Sequence, residues 1–599
     1  MPSGPGWRFH AGVLAGAWAF VFLLHPSPGF FWGEYPSVVD RMLPLPATLA
    51  GLGEAIRWQA TVHTPGLVRP VRALLWWLAA KTLGCDPHAY FVVNGLAVGV
   101  AVWAAAVIAW HVTGSRLRAA LVAAALGWSY VSVYSLLPFL GFGVSAASAL
   151  GGTAAFFRSE AVRGRAGRAW QAAGVVLLLG AVLAHETLLA LAVVPPAHAL
   201  LVRRDRAALR RSLAFAAVVP AYALAGWLLA RLYGADGGHP ILGVLAAARE
   251  APGVLFEFPA RVLFTAASGG LPIDPLRALP WFPEFSRLRE SLLAPLGLAS
   301  ALGVAAPALG LTALACVRAW ADGAGRRRLL FCLVWLAAGT LPLLLPFGGP
   351  EAFHTTGALV ALFLLWGEAF RRRPGAGRAG TALALALLVL WLGVHGAARW
   401  VLFHRDLPLM AQALGELHRV LAEADARDET AGVLFLPIQF GAHYGMLPTV
   451  PPLHPGRAGD ARGCRRGERQ RGCLVEPVWV WSTLRPPPPL PGACREPGAL
   501  RVGPLTPEIA RGLEGSRRMV ASRGAGWTSQ APAPARISEW RHLDVCPLPP
   551  PEAVRLGGAD YRLYRTGGMP HRFWRMSLEP SPRLVPVADC EDDRRPGKP

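Results

Sequence analysis

The stretch that decides the fold runs from residue 158 to residue 211. It begins RSEAVRGRAGR (158–168), continues as AWQAAGVVLLLGAVLA (169–184), breaks at His185-Glu186, resumes as TLLALAVVPPAHALLV (187–202) and closes on RRDRAALRR (203–211). Two apolar runs joined by one polar pair, with arginine on both outer flanks, read as a helical hairpin through a bilayer. Cytoplasmic loops hold an excess of Lys and Arg, and short loops are the ones that count. Both arginine clusters are therefore expected inside, and His185-Glu186 outside.

The same alternation recurs along the chain. Arginines gather at 116–118, 158–168, 203–211, 318–328 and 371–378, while the gaps around Pro138, at 185–186, at 233–293 and at 347–354 hold few basic residues or mixed charge. A spanning helix needs roughly 20 mostly apolar residues. The candidate runs are 9–25, 89–112, 119–137, 139–157, 169–184, 187–202, 212–233, 294–317, 329–346, 353–370 and 379–399. With the N-terminus inside, about eleven crossings put every arginine cluster inside and the C-terminus outside. The expected fold class is an α-helical polytopic membrane protein with a C-terminal extracytoplasmic mixed α/β domain. The membrane domain would cover 1–403, with large outside loops at 26–88 and 234–293, and the outer domain 404–599.

In the second loop, Arg249, Glu250, Glu257 and Arg261 interrupt an apolar run at 241–267, which fits segments lying in the interface. Beyond His404, a helix-like stretch at 406–427 precedes a strand-like apolar run at 432–437 and a Pro-rich spacer at 486–489.

Composition agrees with the membrane class: 599 residues, 53% of them hydrophobic, and a mean hydropathy of +0.37. Lys81 and Lys598 are the only lysines, so the net charge of +22 is almost entirely arginine. Its distribution as loop anchors speaks for topology and against a nucleic-acid partner. Cys85, Cys316 and Cys332 lie in or beside apolar segments and read as small hydrophobes. Cys464, Cys473, Cys494, Cys546 and Cys590 fall in the last third, where an oxidising compartment permits disulfides. Cys464–Cys473 and Cys473–Cys494 are the pairings nearest in sequence, and spacing alone does not choose between them. No Cys/His spacing suggests zinc; no cofactor is expected, and spacing supports no divalent metal. Arg8 precedes an apolar run without a small-residue cleavage site, the pattern of an uncleaved anchor.

The first outside loop reads FFWGEYPSVVDR (30–41). Glu34 follows the first span by about ten residues, among aromatics suited to headgroup depth. A carboxylate held there can take a proton from an acceptor hydroxyl, and the same residue also reads as a solvated loop acid. Asp40 is the next acid along. His63, Arg69 and Arg72 follow; guanidinium forks match phosphate oxygens, although both arginines also suit snorkelling to lipid headgroups. Asn94, early in the second span, fits a substrate contact or an interhelix hydrogen bond. Ionisable residues at membrane depth are rare and default to function. A protonated His185 can face a phosphate and Glu186 can hold it or a sugar hydroxyl, or the pair is merely a polar turn.

Taken in order, these features resemble the GT-C superfamily of membrane glycosyltransferases, in its protein O-mannosyltransferase-like (family 39-like) branch. The features are the first span, an outside acid, His63 and Arg69-Pro70, the Gly84-x-x-Pro87-x-x-Tyr90-x-x-x-Asn94 pattern, the Gly114-Ser115-Arg116-Leu117 turn, and the acid-bearing turn at Glu186. The resemblance covers about residues 9–403 and rests on order and topology. It implies a polyprenyl-phosphate-linked sugar donor, a glycan, lipid or protein acceptor, and transfer on the lumenal or periplasmic face of a cell-envelope bilayer, such as a bacterial inner membrane. It also implies Glu34 as base with Asp40 as fallback, and His185 and Arg69 as phosphate contacts. The family's paired acid is missing, because Gly33 precedes Glu34, and its Lys-Glu outer turn reads His185-Glu186.

Two other readings share these residues. A transporter or flippase of lipid-linked or small solutes tends to show inverted repeats and midplane charge, whereas charge here clusters at the ends of spans. A catalytically inactive scaffold that binds a lipid-linked sugar fits the missing paired acid.

Overall fold

A computed structural model describes residues 6–27, 42–43, 45–63, 69–84, 86–136, 142–162, 164–233, 267–268, 297–340, 355–371 and 378–401, a few residues between 403 and 412, and seven short strands between 431 and 587. The chain divides into two compact units. The first comprises Met1–Ser27, Arg41–Trp281 and Leu288–His404; the second comprises Pro28–Asp40, Phe282–Arg287 and Arg405–Pro599.

The first unit is helical. Its helices are α1 (Trp7–Leu24), α2 (Leu49–Trp58), α3 (Pro70–Thr82), α4 (Pro87–Thr113), α5 (Arg116–Trp128), α6 (Val131–Leu136), α7 (Phe142–Ala161) and α8 (Gly164–Ala184). The irregular α9 (Glu186–Arg203) follows, then α10 (Arg206–Ala216), α11 (Val218–Tyr233), α12 (Gly297–Trp320), α13 (Gly323–Thr340), α14 (Thr356–Glu368) and α15 (Arg378–Val401). Each apolar run read from the sequence is mostly helix in its described residues, although the run at 119–137 breaks at Ser129–Tyr130 into α5 and α6. Among those residues, seven stretches are long and apolar enough to cross a membrane: α1, α4, α8, α9, α10 with α11, most of α12, and α15. The apolar α14 is shorter.

Local chemistry sets the boundaries. Asp86 caps α4 by accepting from the His88 amide at 2.9 Å, and Pro87 occupies the first turn, where its missing N–H costs nothing. Gly114 closes α4 in the left-handed conformation (φ 66°), and Ser115 then caps α5 by accepting from the Arg118 amide. Within α9, Pro195 and Pro196 remove two consecutive backbone donors. That helix runs as a 3₁₀ stretch (Glu186–Val193), one α turn (Val194–Ala197) and a π turn (His198–Arg203).

Antiparallel packing aligns the helix ends. Along α1 and α4, Phe9 sits against Trp110, Trp18 donates to the Leu96 carbonyl at 3.2 Å, and Phe22 meets Phe91. Gly95 and Gly99 leave the notch that Phe22 and Trp18 fill. Between α7 and α8 the backbones nearly touch: a Cβ on Gly152 would fall 2.6 Å from the Gly174 carbonyl oxygen, and one on Gly174 would fall 2.8 Å from that of Gly152. Small residues are what permit such an approach between membrane helices.

One end of the bundle gathers the arginines. Arg118 pairs with Glu368 at 2.6 Å, Arg328 forks the same carboxylate at 2.8 and 3.1 Å, and Arg371 pairs with Asp322 at 2.5 Å. Arg211 forks Glu160 at 2.6 and 3.0 Å, and Arg318 donates to the Ala369 carbonyl. The stack of His111 on Phe157, and His198 packed edge-on against both Phe157 and Phe331, bind these helix ends together. The opposite end holds the close of α1, the start of α4 and the junction of α8 with α9.

The sidedness has a direct test. In whole cells, single cysteines placed in 404–599 are expected to react with an impermeant maleimide, and cysteines in 203–211 only after permeabilisation. Labelling of 203–211 in intact cells overturns the N-inside orientation.

Seven strands are described in the second unit: β1 (Ala431–Phe435), β2 (Glu476–Trp479), β3 (Leu500–Pro504), β4 (Arg541–Val545), β5 (Arg562–Tyr564), β6 (Arg572–Ser577) and β7 (Arg583–Val587). One sheet has the order β2-β1-β6-β7, with β1 parallel to both neighbours and β6 antiparallel to β7; the other is the antiparallel β3-β4-β5. Strand β1 falls on the apolar run read at 432–437. The spacer at 486–489, the interfacial run at 241–266 and the five cysteines of the last third lie outside the described residues, as does most of 406–427. Cys316 and Cys332 are free thiols.

Candidate functional site

At the end away from the arginine loops, charge is buried. Arg69 precedes α3, with Pro70 in the first helical turn. Its guanidinium grips the first residue of α9: Nε donates to Glu186 Oε2 at 2.7 Å and Nη2 to Oε1 at 2.5 Å. Both side chains are buried, so this is a two-pronged, charge-assisted contact shielded from water. His185, extended between α8 and α9, lies with Nδ1 2.8 Å from the Thr187 hydroxyl and takes the Phe142 ring edge-on. Arg72, one turn along α3 from Arg69, is buried with its guanidinium 4.2 Å from the centroid of the Trp76 ring, a cation–π contact.

The structure thus brings Arg69, His185 and Glu186 together, with Arg72 a turn away. Asn94 is fully buried about two turns into α4. His63 ends the π-helical turn Gln59–His63, and its side chain lies outside the described residues. Glu34 and Asp40 also lie outside them. Among the described residues, no group of three or more His, Cys, Asp or Glu is arranged to hold a metal ion.

A further buried cation lies outside the residues singled out from the sequence. Arg399, near the end of α15, donates from Nε to His25 Nε2 at 3.1 Å, and from Nη1 to the Gly127 carbonyl at 2.5 Å, the Ser132 hydroxyl at 2.9 Å and the Ser129 carbonyl at 3.3 Å. His25 Nδ1 lies 3.0 Å from the Val21 carbonyl, which assigns the proton to Nδ1 and leaves Nε2 as an acceptor. The Tyr130 amide donates to His395 Nδ1, and the Trp128 indole to the Leu392 carbonyl. Helices leave their last carbonyls without internal partners. Ser132 and Arg399 share two such carbonyls at the end of α5, and Arg399 ties α1, α5 and α15 into one joint. The signal was available: one arginine at the far end of the last span, on the side otherwise poor in them.

Arg399→Ala is expected to destabilise the chain in detergent by about 1–3 kcal/mol, because the buried His25 Nε2 loses its donor while the Gly127 and Ser129 carbonyls keep theirs from Ser132. An unchanged unfolding midpoint contradicts the assigned joint.

Fold and site together define a polytopic helical membrane protein whose second end buries arginine, histidine and carboxylate groups. No protein-family model matches the chain, and no curated protein matches it. Among solved structures it is similar to the archaeal oligosaccharyltransferase AglB from Archaeoglobus fulgidus, in complex with an inhibitory peptide and a dolichol-phosphate (12% identity, TM-score 0.42, covering 73% of this chain and 63% of that one). It is also similar to ArnT from Cupriavidus metallidurans bound to undecaprenyl phosphate (14% identity, TM-score 0.41, 80% of this chain and 94% of that one). The apo state of the same ArnT is matched at 14% identity and a TM-score of 0.36, over 73% of this chain and 84% of that one. The chain spans less than two thirds of the length of AglB.

Proposed function

We propose that this chain is a membrane glycosyltransferase that moves a sugar from a polyprenyl-phosphate carrier to an acceptor on the extracytoplasmic face. The observation that carries this reading is the buried group of Arg69, Arg72 and His185 at the bundle end opposite the arginine-anchored loops. Guanidinium groups with limited access to water suit a phosphate that must be held while its lipid tail stays among the helices.

In the reaction, an acceptor hydroxyl oxygen attacks the anomeric carbon of the sugar. The bond from that carbon to the phosphate oxygen breaks, and the phosphate leaves with the electron pair. Glu34 accepts the hydroxyl proton, with Asp40 as the alternative base. Arg69 and His185 stabilise the charge gathering on the departing phosphate. Glu186 already occupies Nε and Nη2 of Arg69. A phosphate that takes those two nitrogens therefore displaces the carboxylate.

The test uses the full chain in nanodiscs with radiolabelled polyprenyl-phosphate sugars and a cell-envelope extract as the acceptor source. Transfer of label with release of polyprenyl phosphate is expected, along with weaker donor binding in Arg69→Ala and His185→Ala. Movement of the lipid-linked sugar between leaflets without release of polyprenyl phosphate rejects the enzyme reading in favour of transport.

A further inference from the structure

Glu186 has a role that its burial and geometry single out. A carboxylate and a phosphate present the same feature to an arginine, two oxygens spaced for two parallel N–H donors. Glu186 fills that fork on Arg69 completely, at 2.7 and 2.5 Å, with both partners buried. The acid reaches the fork from a different helix, 117 residues further along the chain, so the contact joins the start of α3 to the start of α9. Glu186 lies in a 3₁₀ stretch directly after an extended residue, His185, where the backbone is not locked in a regular α-helical ladder. The next cation along α3, Arg72, lies one turn away and stacks on Trp76.

We propose that Glu186 is an internal stand-in for the phosphate, holding the Arg69 fork in the empty site and giving it up when a phosphate ester arrives. This rests on the lipid-phosphate reading above and adds competition for one guanidinium between a resident carboxylate and the incoming ligand. Two consequences follow from the chemistry. The empty site avoids an uncompensated buried cation, which is costly. The apparent affinity for phosphate is also lower than the intrinsic one, by the fraction of time for which the fork is open.

The experiment measures binding of three probes to the full chain in neutral-lipid nanodiscs: undecaprenyl phosphate, phosphatidylglycerol and inorganic phosphate. Glu186→Gln keeps the shape and one acceptor oxygen but removes the competing charge. It is expected to bind undecaprenyl phosphate roughly 10-fold more tightly than the parent. Glu186→Asp, which draws the carboxylate back by one methylene and keeps the fold's charge balance, is expected to fall between the two. It decides the matter if Glu186→Gln does not fold. Arg69→Ala is expected to abolish the gain when combined with Glu186→Gln.

Unchanged or weaker binding of every probe in both Glu186 variants overturns the proposal, since the acid would then position the arginine rather than compete for it. Tightening for inorganic phosphate or phosphatidylglycerol but not for undecaprenyl phosphate upholds the exchange at Arg69 and removes the polyprenyl carrier. Tightening for undecaprenyl phosphate without sugar transfer upholds the exchange and leaves a lipid-binding scaffold.

Discussion

Glu34→Gln is expected to lower sugar transfer by about 10²–10⁴-fold, the usual contribution of a general base, while the chain still inserts and still binds lipid-linked donor. Glu34 follows α1 by ten residues and lies between Trp32 and Tyr35, aromatic side chains of the kind that settle at headgroup level. A base acts on a hydroxyl within about 2.6–3.2 Å, directly or through one water, so an acid near the bilayer surface suits an acceptor arriving from the aqueous side. Glutamine preserves size and hydrogen bonding and removes only the negative charge that receives the proton. The loss should therefore fall on turnover, with donor affinity unchanged. Asp40→Asn serves as the internal comparison. If it abolishes transfer while Glu34→Gln does not, the base lies six residues further on and the mechanism stands. Full activity in both variants rules out a base in this loop.

The sequence made the helices legible because hydropathy and charge speak independently. Apolar runs located the segments, and arginine placement grouped their ends. The structure puts Arg118, Arg211, Arg318, Arg328 and Arg371 at one end of the bundle, as that alternation expects. His185-Glu186 was legible as the polar junction of two apolar runs for the same reason, and it joins α8 to α9. The pairing of Arg69 with Glu186 was not legible, because it spans 117 residues and depends on how α3 meets α9. Periodicity describes one helix at a time and carries no record of which helices touch. Arg399 was passed over for a related reason. Two of its four partners are backbone carbonyls at the end of α5, and a carbonyl leaves no trace in the amino-acid alphabet. The irregular course of α9 was foreshadowed by Pro195-Pro196, although the 3₁₀ and π turns that absorb the missing donors depend on its neighbours.

Glu368→Ala is expected to be the most destabilising single substitution at the arginine end. Glu368 closes α14 with only 1% of its side chain exposed, and guanidinium groups from two other helices converge on its carboxylate. Arg118 of α5 reaches Oε1 at 2.6 Å, and Arg328 of α13 bonds both oxygens at 2.8 and 3.1 Å. Arg371, just past the end of α14, lies 4.0 Å from Oε2 and pairs more closely with Asp322. One carboxylate thus balances two half-buried cations directly and a third in part. Removing one partner of a buried ion pair costs about 3–5 kcal/mol, because the remaining charge stays buried without compensation. Against a total stability of roughly 5–15 kcal/mol, that is a large share. Glu54 supplies the contrast: its pair with Arg57 joins side chains 29% and 59% exposed, and exposed pairs contribute about 0–1 kcal/mol. In detergent at one scan rate, Glu368→Ala should melt far below the parent and Glu54→Ala close to it. Glu368→Gln should fall between, keeping an acceptor for Arg328 but losing the charge. If Glu368→Ala melts with Glu54→Ala, the carboxylate does not hold α5, α13 and α14 together, and the packing of these helices must carry the joint instead.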